Sequence, residues 1–197
     1  MHANTPFIRF RFNPEKALHT IIFLAKKEPD LSISIPKLMA VQWLADISHL
    51  NDYARPVNGG RWIADDVSPL HKNLYGLLLR DPWISHDTSN DNLNDWPFKL
   101  NGNKAEAFDS STVNLELFSP SDIDSLEEAL SKLKDDKQSF YKTSYPELCN
   151  HKAYHFARRR SSLDINYIDM LDASDNDYNK KIKYLCEISY FADSIVF

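Results

Sequence analysis

Residues 37–80, KLMAVQWLADISHLNDYARPVNGGRWIADDVSPLHKNLYGLLLR, read as a helix, a tight turned segment and a second helix, and the rest of the chain is expected to pack around them. At about 100° per residue, Met39, Ala40, Trp43, Leu44, Ile47 and Leu50 share one apolar arc, and Leu38, Val41 and Ala45 a second. Between the arcs, Gln42, Asp46, His49 and Tyr53 fall on one narrow polar stripe. A polar stripe walled by apolar residues must be hydrogen-bonded internally or offered to a partner. The helix is predicted from about Pro36 to Tyr53. Arg55 to Ile63 then reads as a small hairpin, because Asn58-Gly59 suits a two-residue turn. Ser68 caps a second helix opening at Pro69, with Leu70, Leu74, Leu77 and Leu78 on its buried face and Pro82 as its stop.

Outward from this stretch, Ile8, Phe10 and Phe12 alternate with Arg9 and Arg11, the pattern of a short strand or extended arm with its apolar side inward. Asn13 and Pro14 open a helix carrying Ala17, Leu18, Ile21, Ile22 and Ala25. From Trp83 to Phe118 the helical period is lost. That segment reads as a loop-rich insertion with short strands at Trp96-Phe98-Leu100, ahead of Asn101-Gly102, and at Val113-Leu115-Phe118. Ser119-Pro120-Ser121-Asp122 resembles a capping box opening a helix with Ile123, Leu126, Leu130 and Leu133. A further helix is expected from Ser144, carrying Leu148, His151, Ala153 and His155 toward Arg158-Arg159-Arg160, and a last one from Tyr178 to Val196. The expected fold class is mainly α with minor β, a multi-helix single domain with a small hairpin and a loop-rich insertion.

A chain of 197 residues suffices for one domain with a real core. With 43% hydrophobic residues and no apolar run near the roughly 18 that a membrane span needs, neither a membrane segment nor a secretory leader is expected, and the chain reads as cytoplasmic. Cys149 and Cys186 form no metal-type pair and read as reduced thiols. A formal net charge of −5 and a pI near 5.8 argue against general affinity for nucleic acid and fit a basic partner. Arg158-Arg159-Arg160 read as a solvated helix end or a clamp on Asp164 and Asp169.

Three patterns invite a catalytic or metal reading. His151 and His155 stand four apart, the spacing at which two imidazoles share zinc, but Lys152 occupies the place of the general-base Glu of a metalloprotease helix. Asp46 and His49 could pair as orienter and base, yet no activated Ser or Cys nucleophile is visible in the sequence. Four glycines, two of them in the expected hairpin turn, leave no phosphate-cradling loop. Neither an enzyme, a cofactor nor a metal is expected.

Trp43-Leu44-Ala45-Asp46, His49-Leu50, Tyr53, Arg55-Pro56-Val57, Gly59, Arg61-Trp62-Ile63-Ala64, Ser68-Pro69-Leu70 and Leu74-Tyr75 together resemble the signature of the Panacea domain, the SocA-like antitoxin group related to phage-associated proteins of the GepA type. Ala54 stands where that family has Gly, Gly60 where it has Asp, and Ser68-Pro69-Leu70-His71 where it has Gly-Pro-Val-Pro. Ser144 and His151 resemble its later Ser and His, with Tyr154 in place of a Trp. The resemblance implies a helical antitoxin that neutralises a protein toxin encoded by a neighbouring gene through direct contact, with a proteolytic adaptor or phage-associated interaction protein as the alternative. Because the chain opens almost directly with the domain, autoregulation through DNA is not expected. Gln42, Asp46, His49 and Tyr53 are expected to act as an internal polar brace. Arg55, Asn58, Arg61, Trp62 and His71 are the candidate partner contacts, since loops held by rigid helices commonly carry recognition.

Overall fold

The computed structural model describes residues 6–81, 96–133 and 145–194, without the side chains of 145–146 and 189–194. Trp83, His86, the segment 82–95, Ser144 and Val196 therefore lie outside the described residues. Eight α-helices and five short strands are present among those described, a mainly α fold with minor β.

Helix α1 spans Pro14–Lys26. Asn13 caps it by accepting from the Lys16 N–H at 3.0 Å, and Pro14 supplies the preset φ of a first turn. Strand β1 (Ser32–Ser34) leads into α2, Ile35–Tyr53, capped by Ser34. Leu38, Met39, Ala40, Val41, Trp43, Ala45 and Leu50 are all buried, so α2 is enclosed nearly all round, as befits a core helix. Ala54 ends it in the left-handed conformation at φ 52°, its N–H donating to the Leu50 carbonyl at 2.9 Å. The largest contact of α2 is with α4, Pro120–Lys132, whose Ser119 and Asp122 form a reciprocal capping box.

The turned segment differs from its expected form. No hairpin folds at Asn58-Gly59; β2 (Trp62–Ala64) pairs antiparallel with β3 (Pro69–His71), with Trp62 opposite His71. Pro69 thus belongs to a strand, and α3 begins only at Lys72 and runs to Leu78, with His71 as its cap. Residues 54–60 instead cross the protein to meet the N-terminal arm, where Gly60 N–H donates to the Phe10 carbonyl at 3.0 Å and Asn13 N–H to the Asn58 carbonyl at 2.9 Å. Gly59, at φ 66°, makes this passage possible. A Cβ there would stand 2.1 Å from the Arg11 carbonyl oxygen.

Strand β4 (Phe98–Asn101) falls where one was expected ahead of Gly102, but its partner is β5 (Lys104–Ala107), which was not expected, and β1 completes this sheet beside β5. Val113 to Phe118 is not a strand. Asn114 caps a 3₁₀ turn at Leu115–Leu117, Leu115 faces solvent, and Phe118 returns to the core against Phe23. The helix expected to run from Ser144 to the arginines is broken into α5 (Tyr145–Cys149) and α6 (Lys152–Arg158). The break falls at His151, whose extended backbone and side chain cap the second piece. Helices α7 (Tyr167–Met170) and α8 (Tyr178–Ser194) follow.

Candidate functional site

Two hydrogen-bonded networks grow from the polar stripe of α2. The first is centred on Asp46, which is fully buried. Its Oδ1 accepts from Gln42 Nε2, one turn back on the same helix, at 2.8 Å and from the Val57 N–H at 3.0 Å; its Oδ2 accepts from Trp62 Nε1 at 2.8 Å. Gln42 Oε1 in turn accepts from Asn58 Nδ2 at 2.9 Å. Asn58 Nδ2 also donates to Thr20 Oγ1 at 3.2 Å, and that hydroxyl donates to the Lys16 carbonyl at 2.9 Å. Four separate segments are thereby joined by direct hydrogen bonds. Burial pushes the Asp46 carboxyl up to about 6, against the three donors that favour its ionised form.

The second network begins at His49, also buried. Its Nδ1 lies 2.7 Å from the Arg55 carbonyl, which can only accept, so Nδ1 carries the proton. Burial lowers its pKa and keeps the ring neutral, leaving the Nε2 lone pair to face Ser121 Oγ at 3.0 Å, with Asp122 Oδ1 at 3.4 Å. Asp122 Oδ2 accepts from Lys16 Nζ at 2.7 Å, Ser119 Oγ at 2.8 Å and the Ser119 N–H at 2.7 Å, and its Oδ1 accepts from Arg55 Nη1 at 3.1 Å. Burial alone would raise this carboxyl, but the hydrogen bonds from Lys16 and Ser119 outweigh it and hold the group below the ordinary range. Arg55 Nη2 donates to Ser119 Oγ at 2.9 Å.

Asp46 and His49 are therefore not orienter and base to each other, since each belongs to its own network. Tyr53, the fourth stripe residue, emerges from the protein: its ring covers His49 at 4.7 Å between centroids and is 52% exposed.

Of the five candidate partner contacts, three are corrected. Asn58, Trp62 and His71 are buried, because each is consumed by internal bonding or packing. Trp62 lies between Trp43, at 5.0 Å, and His71, at 4.8 Å, with its N–H on Asp46. His71 donates from Nε2 to the Gly59 carbonyl at 2.8 Å and accepts the Leu74 N–H on Nδ1 at 3.1 Å. Arg55 and Arg61 do reach solvent, with side chains 41% and 48% exposed. Arg61 pairs with Asp164 beside a cavity of about 350 Å³ lined by Phe7, Phe10, Phe12 and Tyr167.

His151 and His155 do not share a helical face as a ligand pair would. His151 is the cap of α6, its Nδ1 accepting the Ala153 N–H at 3.2 Å and its ring edge-on to Trp43 at 5.6 Å.

Comparison with protein-family models, with curated proteins and with solved structures finds no match.

The residues that sequence reading missed are Lys16, Ser119, Ser121 and Asp122. Ser119-Pro120-Ser121-Asp122 was legible as a helix start, and a carboxylate at its third helical position accounts for the cap. Its meeting with His49 and Arg55 depends on the docking of α4 against α2, for which no local pattern exists.

Proposed function

We propose that the chain is a cytoplasmic antitoxin of the Panacea type, which neutralises a co-encoded protein toxin by direct contact. The observation that carries this reading is the fate of the residues on which the resemblance rests. Asp46, Val57 and Trp62 converge on one internal brace, and Gly59 bonds to His71, which packs on Trp62, so their pattern specifies a scaffold. Tyr53, Arg55 and Arg61 stand at the surface beside it, fixed from below by His49, Asp122 and Asp164. Such preorganised aromatic and arginine side chains are the types enriched where proteins bind one another. Among the described residues no helix is long and apolar enough to cross a membrane, which is compatible with the assignment. The net charge of −5 favours a basic partner surface.

The test is co-expression with the product of each neighbouring open reading frame. The proposal expects one of these to arrest growth alone, to be rescued by this chain, and to co-elute with it in gel filtration. Rescue by none, with no complex surviving chromatography, overturns it.

A further inference from the structure

The hydrogen bonds around His49 single out one hydroxyl. The Arg55 carbonyl fixes a proton on Nδ1, and burial, which disfavours a second proton, leaves a lone pair on Nε2, which faces Ser121 Oγ at 3.0 Å with Asp122 Oδ1 at 3.4 Å. Ser119 Oγ already accepts from Arg55 Nη2 and from the Asp122 N–H at 3.2 Å, so both its lone pairs are taken and it cannot also accept from Ser121. Ser121 Oγ, 2.9 Å from Ser119 Oγ, therefore finds its acceptor in His49 Nε2 at 3.0 Å. The result is a directed relay from Ser121 O–H to imidazole to main-chain carbonyl. It is the arrangement by which a serine is activated, with a carbonyl orienting the base.

We propose that Ser121 is a nucleophile toward activated carboxylic esters, with His49 as its general base. The imidazole is shielded from water beneath Tyr53, whereas Ser121 is only half-buried, in the first turn of α4. Oγ attacks the ester carbonyl as its proton passes to Nε2, and the C–O bond to the alcohol breaks as that proton is returned to the leaving oxygen. Water then attacks the acyl–Ser121 ester with the same base, releasing the acid and restoring the hydroxyl. The Arg55 guanidinium, part-exposed and bonded to Ser119 Oγ and Asp122 Oδ1, is the cation nearest to hand for the oxyanion, one hydroxyl away from Ser121. This activity goes beyond toxin binding and stands or falls independently of it.

A fluorophosphonate probe tests the proposal on the intact chain. Intact-mass analysis should show a single adduct, mapped to Ser121 by peptide mass and lost from both Ser121→Ala and heat-unfolded protein. His49→Gln should label at least tenfold more slowly. If that variant does not fold, Ser121→Cys decides: its alkylation by iodoacetamide should persist well below the pH at which a free thiol reacts, because the thiol proton can pass to Nε2. The groups facing His49 that shape this profile are Asp122, Lys16, Arg55 and Tyr53. Folded wild-type protein with Ser121 unlabelled, folded His49→Gln labelling at the wild-type rate, or a Ser121→Cys profile like that of a free thiol would each overturn the assignment.

Discussion

The indole N–H of Trp62 donates to Asp46 Oδ2 across a 2.8 Å hydrogen bond deep in the protein, joining the middle of α2 to the first residue of β2. Both groups are withdrawn from water, so neither has an alternative partner there. The bond fixes the register in which the chain returns from α2: Val57 must reach Oδ1, Asn58 must reach Gln42, and Gly59 must pass under Arg11. A polar core of this kind, with each member bonded, specifies one arrangement of its segments.

Ala54 is the place where the helix end carries avoidable strain. A residue with a Cβ at φ 52° costs about 1 kcal/mol or more relative to glycine. Part of that gain returns as chain entropy in the unfolded state. Ala54→Gly is therefore expected to raise stability by about 0.5–1 kcal/mol, read as a higher urea midpoint with an unchanged slope.

Gly59 has the opposite character. Its φ of 66° is combined with an approach to the Arg11 carbonyl that no side chain can share. Gly59→Ala should cost about 3 kcal/mol or more, measured by chemical unfolding. An adjustment confined to a side chain could not relieve the clash, because the opposing atom is backbone.

His71 ties stability to pH. Burial holds its pKa down at about 4, and the geometry gives the reason: Nε2 donates to Gly59 while Nδ1 must accept from Leu74, so a second ring proton would point at an N–H. A folded-state pKa below that of the unfolded chain means that the unfolded state takes up the proton first. The stabilisation is thus complete above about pH 6.5 and is lost as pH falls toward 4. Asp46, raised to about 6, works in the other direction, its contribution fading as pH rises through 6. The difference between proteins isolates the histidine. Wild type should lose about 3 kcal/mol more than His71→Asn between pH 7 and 4, measured by urea unfolding at each pH.

Helices α1, α2 and α4 were legible because each couples a side-chain cap to a sustained apolar period, two signals contained within one stretch of sequence. Strand β4 was legible ahead of Asn101-Gly102, whereas β5 was not, because the residues it turns inward are only Ala105 and Ala107. The hairpin expected at Asn58-Gly59 was misread because the same dipeptide serves another purpose: Asn58 is drawn inward by Gln42 and Thr20, and the glycine is required by close approach to Arg11. Ser68-Pro69 likewise imitates a helix start, while the true cap is His71, a residue type not favoured for that role. The stripe Gln42, Asp46, His49 was visible as a pattern. Its division into one network around Asp46 and another around Asp122 was not, because the second carboxylate arrives from α4.

The most direct test of the brace is the thermal unfolding of Asp46→Ala, measured beside its binding to the partner. Removing the carboxylate strands three donors, those of Gln42, Val57 and Trp62. The account predicts a destabilisation of about 1–3 kcal/mol, a clearly lowered melting temperature, and partner binding retained below that temperature. A variant that melts where wild type does yet no longer binds its partner would contradict it, and would make the stripe an interface.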